Sequence, residues 1–267
     1  MGALDGKVAL VTGAARGQGR CHAVALATEG ADVVACDVPG PMASLTYPLA
    51  GADDLRLTAK LVEDVGRRCL AAQVDVRDAA SVNAAFASAL DELGRIDIVV
   101  ANAGVVSTGP LADVTDEAWD ELVSTNLTGV FNTLRAAVPV MRRQRWGRIV
   151  VTSSMGGRMG IPNLAAYNAT KWGTIGLAKS LALEVAKEGI TVNVICPTTV
   201  QTPMVQPDPD AEVPDDFVRQ MLRGNPVPQP WLQPEDVTRG LLYLVTDPGV
   251  ITGSVLEIGL GSSARMH

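Results

Sequence analysis

The sequence predicts an α/β protein: a doubly wound parallel sheet of about seven strands, flanked by helices on both faces and forming a single domain over residues 1–267. Three observations lead there. Short apolar, β-branched runs alternate with longer helix-like stretches, the rhythm of repeated strand–helix–strand units. Runs such as Ile149-Val150-Val151-Thr152 are apolar without alternation, as strands covered on both faces must be. A glycine-rich turn follows the first run at once.

In chain order the expected strands are Val8 to Thr12, Asp32 to Asp37, Ala71 to Asp75, Ile96 to Asn102, Arg148 to Ser153, Thr191 to Cys196 and Val255 to Ile258, with helices between them. Two irregular segments interrupt this order. Residues 38–55 hold three prolines and two glycines where a short connection would suffice, so they read as an insertion. Residues 197–234 carry nine prolines around a helical stretch near Asp215 to Leu222, and residues 198–234 read as a substrate lid.

Composition narrows the function. With 267 residues, 47% hydrophobic and 19% charged, the chain can bury one sizeable core. A formal charge of -7 repels phosphate backbones and anionic lipid, so neither nucleic acid nor membrane is an expected partner. No apolar run approaches the roughly 18–20 residues that span a bilayer. The N-terminus has no signal-peptide pattern, and a cytoplasmic location is expected. Cys21, Cys36, Cys69 and Cys196 are widely spaced, with only His22 and His267 to join them, so they read as small buried residues without disulfide or metal.

Thr12-Gly13-Ala14-Ala15-Arg16-Gly17-Gln18-Gly19 links the first strand to a helix. Glycine there lets backbone approach a pyrophosphate, and the helix N-terminus offers N–H groups and a positive dipole end. Asp37 ends the second strand 18 residues after Gly19, near the spacing at which a carboxylate binds an adenosine ribose. The domain therefore reads as Rossmann-like. Asp37 also repels a 2′-phosphate, which selects NAD over NADP. Arg16 opposes that choice weakly, since a basic group in this loop can hold such a phosphate. Asp75 and Val76 are expected beside the adenine, although Asp75 capping the next turn is an equal alternative.

Asn126, Ser154, Tyr167 and Lys171 carry the chemistry. Tyr167 and Lys171, four apart, share one face of a helix. A free phenol with a pKa near 10 is a poor base at neutral pH. One cation about 5 Å away, at an effective dielectric of about 20, supplies on the order of 3 kcal/mol toward ionising it.

The glycine turn, Asn102-Ala103-Gly104, Asn126, Ser154, Tyr167-Asn-Ala-Thr-Lys171 and Pro197-Thr-Thr-Val-Gln-Thr202, in that order, resemble the short-chain dehydrogenase/reductase family over nearly the whole chain. The resemblance implies hydride transfer between NAD(H) and a secondary alcohol or ketone. It makes Tyr167 the proton acceptor, aided by Lys171 and by the charge of an oxidised nicotinamide. Ser154 would bind the substrate oxygen, with Ser153 as the adjacent alternative, and Asn126 would hold a water linking Lys171 to solvent. Gly13, Arg16, Gly17, Gln18, Gly19, Asp37, Val38, Asp75, Val76, Asn102, Ala103, Gly104, Val200 and Thr202, with Tyr167 and Lys171, would hold the cofactor. The family also implies a homotetramer.

Three positions depart from the family pattern: Thr198 stands for a glycine, Ala101 for an asparagine, and Ile258-Gly-Leu-Gly261 lacks an aspartate. The insertion after Asp37, expected over the adenosine half of the cofactor, and Tyr47-Pro-Leu within it are similar to a mycofactocin-coupled, carveol-dehydrogenase-like subgroup. That likeness implies NAD retained on the protein and served by another electron carrier, mycofactocin. The expected substrate wall is apolar, made of Val105, Val106, Met155, Met159, Ile161, Met204, Phe217, Met221 and Trp231, and suits a terpenoid or steroid-like ring. Arg158 could instead meet an anionic group. Two other readings stand beside this one: a reductase drawing on free NADH, and a non-catalytic NAD-binding protein on the same fold.

Overall fold

A computed structural model describes residues 2–38, 40, 42–206 and 212–265. Seven parallel strands form one sheet: β1 (Val8–Thr12), β2 (Asp32–Asp37), β3 (Cys69–Gln73), β4 (Ile98–Ala101), β5 (Gly147–Thr152), β6 (Ile190–Pro197) and β7 (Val255–Ile258). Their spatial order is β3-β2-β1-β4-β5-β6-β7, so the winding reverses between β1 and β4. In open α/β sheets the crevice at that reversal, beyond the strands' carboxyl ends, is where ligands bind.

The helices are α1 (Gly17–Thr28), α2 (Ala52–Asp64), α3 (Ala79–Leu93), α4 (Asp116–Val123), α5 (Gly129–Gln144), α6 (Ala165–Val185), α7 (Asp215–Gly224) and α8 (Pro234–Thr246). Strand side chains alternate between two cores. Leu10, Val99, Ile149 and Val192 turn to one side and pack with Phe86 of α3, Met141 of α5 and Ile175 of α6. Val11, Val100, Val150 and Ile195 turn to the other and pack with Leu26 of α1, Val62 of α2 and Leu241 of α8. Period-two alternation with both faces covered is why the strand sequences lack polar positions.

Several expected boundaries move. β3 begins and ends two residues earlier than the apolar pattern suggests, because β2 pairs with it from Val33↔Cys69 to Asp37↔Gln73. Val74 and Val76 are buried beyond the strand. β4 stops at Ala101, since Asn102 leaves the ladder and donates to Thr12 O at 3.1 Å. The insertion is irregular only as far as Gly51: α2 starts at Ala52, where the Asp54 carboxylate accepts from Gly51 N at 2.9 Å. Pro39 and Pro41 of the insertion, and residues 207–211 of the expected lid, lie outside the described residues. All four cysteines are free, but only Cys36 and Cys196 are buried; Cys21 and Cys69 are partly exposed.

Candidate active site

A cavity of about 940 Å³ runs along the carboxyl ends of the strands. Every residue expected to hold the cofactor lines it, as do Ser154, Tyr167 and Lys171. Asn126 stands behind the wall.

At one end the chain crosses from β1 into α1 through Gly13, whose φ of 67° is costly for any residue with a Cβ. A Cβ on Gly13 would lie 2.8 Å from Ala103 Cα, and one on Gly19 would lie 1.9 Å from Gly13 O. Glycine at these positions thus lets strand, turn and helix approach and leaves α1's first N–H groups facing the cavity. The Arg16 guanidinium donates to Pro48 O of the insertion. The Gln18 carboxamide oxygen is buried without a partner among the described residues.

Asp37 accepts from Ala15 N and Val38 N, both at 2.8 Å, which fixes its carboxylate at the tip of β2. Burial pushes its pKa up against these donors and the nearby Arg16. Asp75 is ion-paired with Arg77 at 2.7 Å and also accepts from Arg77 N, so it caps a turn while bordering the cavity. The hydrogen bond from Arg77 holds its carboxyl below the ordinary range.

Sequence reasoning missed Thr58. Its buried hydroxyl, on α2, donates to Ala14 O at 2.9 Å and accepts from Arg20 Nε at 3.1 Å, bracing the glycine turn from behind. No motif could have signalled a contact spanning 44 positions.

At the other end, Tyr167 and Lys171 lie one turn apart on α6, with Lys171 Nζ 5.6 Å from the centre of the Tyr167 ring. Lys171 Nζ donates to Thr152 O at 3.1 Å. Ser154 caps a short 3₁₀ turn, accepting from Gly156 N at 3.0 Å, and its hydroxyl reaches the Tyr167 phenol. Ser153 instead donates to Lys171 O at 2.9 Å inside the core, which separates the two adjacent serines.

The help expected from the Lys171 ammonium meets an opposing effect, because both groups are withdrawn from water. Burial pushes Tyr167 up to about 12, with only the Ser154 hydrogen bond opposing it. The same effect brings Lys171 down to about 8. An acidic phenol is therefore not a property of these two side chains by themselves.

Asn126 occupies a π-helical turn, Ser124–Thr128, between α4 and α5. Its Oδ1 accepts from Val105 N at 2.8 Å, and its Nδ2 donates to Val105 O at 2.9 Å and to Thr170 Oγ1 at 3.2 Å. The carboxamide thus clamps the segment after β4. A Cβ on Gly104 would meet both Asn126 Oδ1, at 3.2 Å, and Lys171 Nζ, at 3.3 Å.

Val200 pairs with Leu232 in an isolated bridge, and Thr202 packs against Gly17, so the lid's base closes on the glycine turn. Thr198 does not have a positive φ; its N–H donates to Ile258 O at 3.0 Å, and the position does not require glycine. Of the nine expected apolar wall residues, Trp231 alone is off the cavity, donating to Gln201 Oε1 at 3.0 Å. Arg158 is not open to an anion: it pairs with Glu257 at 2.6 Å. Met42, Tyr47 and Leu49 of the insertion were not foreseen in the wall.

The family model for short chain dehydrogenases matches residues 7–213, most of the chain. The chain belongs to the short-chain dehydrogenase family. The (-)-trans-carveol dehydrogenase of Rhodococcus erythropolis is 44% identical, covering 99% of this chain and 100% of that one. A crystal structure of carveol dehydrogenase from Mycobacterium avium in complex with NAD superposes with a TM-score of 0.93 at 42% identity, over 99% of this chain and 100% of the other. A short chain dehydrogenase from Mycobacterium paratuberculosis bound to NAD gives 0.90 at 36% identity, over 99% and 100%.

In this dehydrogenase the cradle makes a direct prediction. Gly19→Ala must displace the Gly13 carbonyl, so it is expected to cost about 1–3 kcal/mol of stability and to weaken dinucleotide binding. Denaturant unfolding and titration with NAD check both.

Proposed function

We propose that the protein is an NAD-dependent oxidoreductase acting between a hydrophobic secondary alcohol and its ketone. One observation carries this reading: a single cavity joins the glycine turn and Asp37 to Ser154, Tyr167 and Lys171. The donor set fits NAD. Gly13, Arg16, Gly17, Gln18 and Gly19 surround the place for a pyrophosphate, and Asp37 and Val38 that for the ribose. Asp75 and Val76 border the adenine end; Asn102, Ala103, Gly104, Val200 and Thr202 border the nicotinamide end. Two buried oxygens at this cleft, Gln18 Oε1 and Thr152 Oγ1, lack partners among the described residues, as expected of a site shaped for a polar ligand. When bound, NAD supplies the ring carbon that exchanges hydride with the substrate.

The chain's own groups handle the proton. Tyr167 takes it from the alcohol hydroxyl, or returns it to the ketone oxygen in reduction. Ser154 hydrogen-bonds the same oxygen and favours the phenolate. Lys171 holds positive charge beneath the phenol, and Asn126 holds a water through which Lys171 exchanges its proton with solvent.

The carveol dehydrogenases it resembles act, by name, on a ring alcohol, and the apolar wall suits such a ring. Retention of NAD is supported by the insertion, which is tied down at three places: Pro48 O to Arg16, Ala43 N and Ser44 N to the Glu121 carboxylate at 3.0 and 3.2 Å, and Tyr47 to Val106. The lasting partner is then a separate electron carrier, mycofactocin. We further place the protein in the cytoplasm as a homotetramer. Apolar Trp172 and Leu183 are exposed on α6, Tyr243 on α8, and Val250 lies shortly before β7. Among the described residues no helix is long and apolar enough to cross a membrane.

Mixing the purified protein with a panel of secondary alcohols is expected to raise bound-NADH absorbance to about one equivalent of retained cofactor and then stop. No signal from any alcohol with cofactor present would overturn the reading. Labelled NAD in the medium is expected to exchange far more slowly than this single turnover. Rapid exchange, with continuous turnover on added NAD, selects the reductase with a free cofactor instead.

A further inference from the structure

Tyr47 belongs to the insertion, yet it stands at the catalytic end. It is buried, with 8% of its surface exposed, and its hydroxyl accepts from Val106 N at 2.9 Å. The preceding N–H, of Val105, is held by Asn126. Two successive peptides after β4 are thus gripped, one from the catalytic side and one from the insertion.

Met42 and Leu49 of the insertion join an apolar group with Val105, Ala166 and Tyr167. Met42, Tyr47 and Leu49 border the same cavity as Ser154 and Tyr167. The expected placement over the adenosine half alone is therefore too narrow. The segment runs from Asp37 past Arg16 to the chemical end.

We propose that Tyr47 is a specificity-determining residue: its ring forms a fixed wall of the space that receives the alcohol beside Tyr167, and its hydroxyl pins that ring to Val106. The proposal rests on reading the cavity as an alcohol dehydrogenase site. A tyrosine has two side-chain torsions; anchored at its far end, it keeps one position and resists displacement by a bulky ligand. Among apolar ligands, size selection is the discrimination such a wall provides, and one methylene group changes preference by roughly 10- to 200-fold. The ligand such a wall sorts is an apolar secondary alcohol whose body fits between this ring and the apolar side chains of the lid.

Wild type, Tyr47→Phe and Tyr47→Ala, each loaded with NAD, are compared on cyclopentanol, cyclohexanol and carveol. Three readouts are taken: kcat/KM, thermal shift with each alcohol, and nucleotide retained after purification. Tyr47→Ala is expected to change the carveol-to-cyclopentanol ratio of kcat/KM by roughly 10-fold or more, toward the larger ring. Tyr47→Phe keeps the ring without its anchor and is expected to move the same ratio in the same direction by a smaller factor. A uniform loss across all three alcohols in both variants, accompanied by lost nucleotide, would mean that Tyr47 only fastens the insertion, and the proposal fails. Should wild type turn over none of them, the function proposed above fails. The thermal shifts then decide the wall by themselves: a changed size preference in Tyr47→Ala upholds it, and an unchanged one sinks it. Tyr47→Leu replaces Tyr47→Ala if the latter does not fold.

Discussion

Tyr167→Phe is expected to lower kcat for oxidation of the best secondary alcohol by on the order of 10²–10⁴-fold, while nucleotide content and melting temperature stay near wild type. The substitution removes one oxygen, whose partner is the Ser154 hydroxyl, and leaves the ring in its packing with Val105 and Ala166. The effect is large because neither Lys171 nor Ser154 can take the proton in its place. Lys171 is protonated below about 8 and has no lone pair to offer there, and Ser154 is itself a donor to the same oxygen.

The pH profile adds a sign. Burial raises the phenol, so oxidation, which needs the phenolate, should climb with pH through the neutral and mildly alkaline range. Ser154→Ala removes the hydrogen bond that opposes this rise, so the limb should move to higher pH. Ketone reduction, which needs the protonated phenol, should stay nearly flat over the same range, because a phenol raised to about 12 remains protonated there. Steady-state rates of both directions between pH 6 and pH 10, in roughly half-unit steps, check these claims. Turnover that survives Tyr167→Phe unchanged would leave the proton chemistry without a carrier and overturn the mechanism.

What the sequence revealed was local or ordered along the chain. Tyr167 and Lys171 are four apart, so helical geometry alone puts them on one face, and Gly13 and Gly19 flank the start of a helix that follows a strand, both types being legible from periodicity. What it concealed depends on folding distant segments together. Thr58 braces Ala14, Glu121 holds Ser44, and Tyr47 reaches Val106, each across tens of residues with no local pattern. The end of β3 was misplaced for a related reason: Val74 looks like a strand residue because it is buried in the core, but register with β2 sets the limit. The burial that opposes ionisation of the phenol was concealed too, because charge spacing can be read from sequence whereas desolvation cannot.

Desolvation also governs the second large effect, an acid instability centred on His22. This residue of α1 has no exposed surface, and its Nδ1 lies 2.7 Å from Thr238 Oγ1 of α8. The Thr238 hydroxyl has one proton and two further acceptors in reach, Pro234 O at 2.9 Å and Cys21 Sγ at 3.2 Å; the second ring nitrogen of His22 is Nε2. That Nε2 has no partner among the described residues. Burial lowers the imidazole from 6.5 to about 3. A base whose pKa falls on folding binds more protons in the unfolded chain between those two values, so stability is complete above about 6.5 and declines as pH falls toward about 3. The drop is on the order of 4–5 kcal/mol. Asp32, Asp75 and Asp247, whose carboxyls are held low by their partners, add losses only below the ordinary carboxylate value of 3.8. Asp37, raised by burial, works the other way. Between pH 6.5 and about 4 the imidazole should therefore dominate. His22→Asn keeps an amide donor for Thr238 and removes the titration, so its denaturant midpoint should be nearly flat across that window while wild type falls. Parallel slopes for the two proteins would show that the imidazole is not the group responsible.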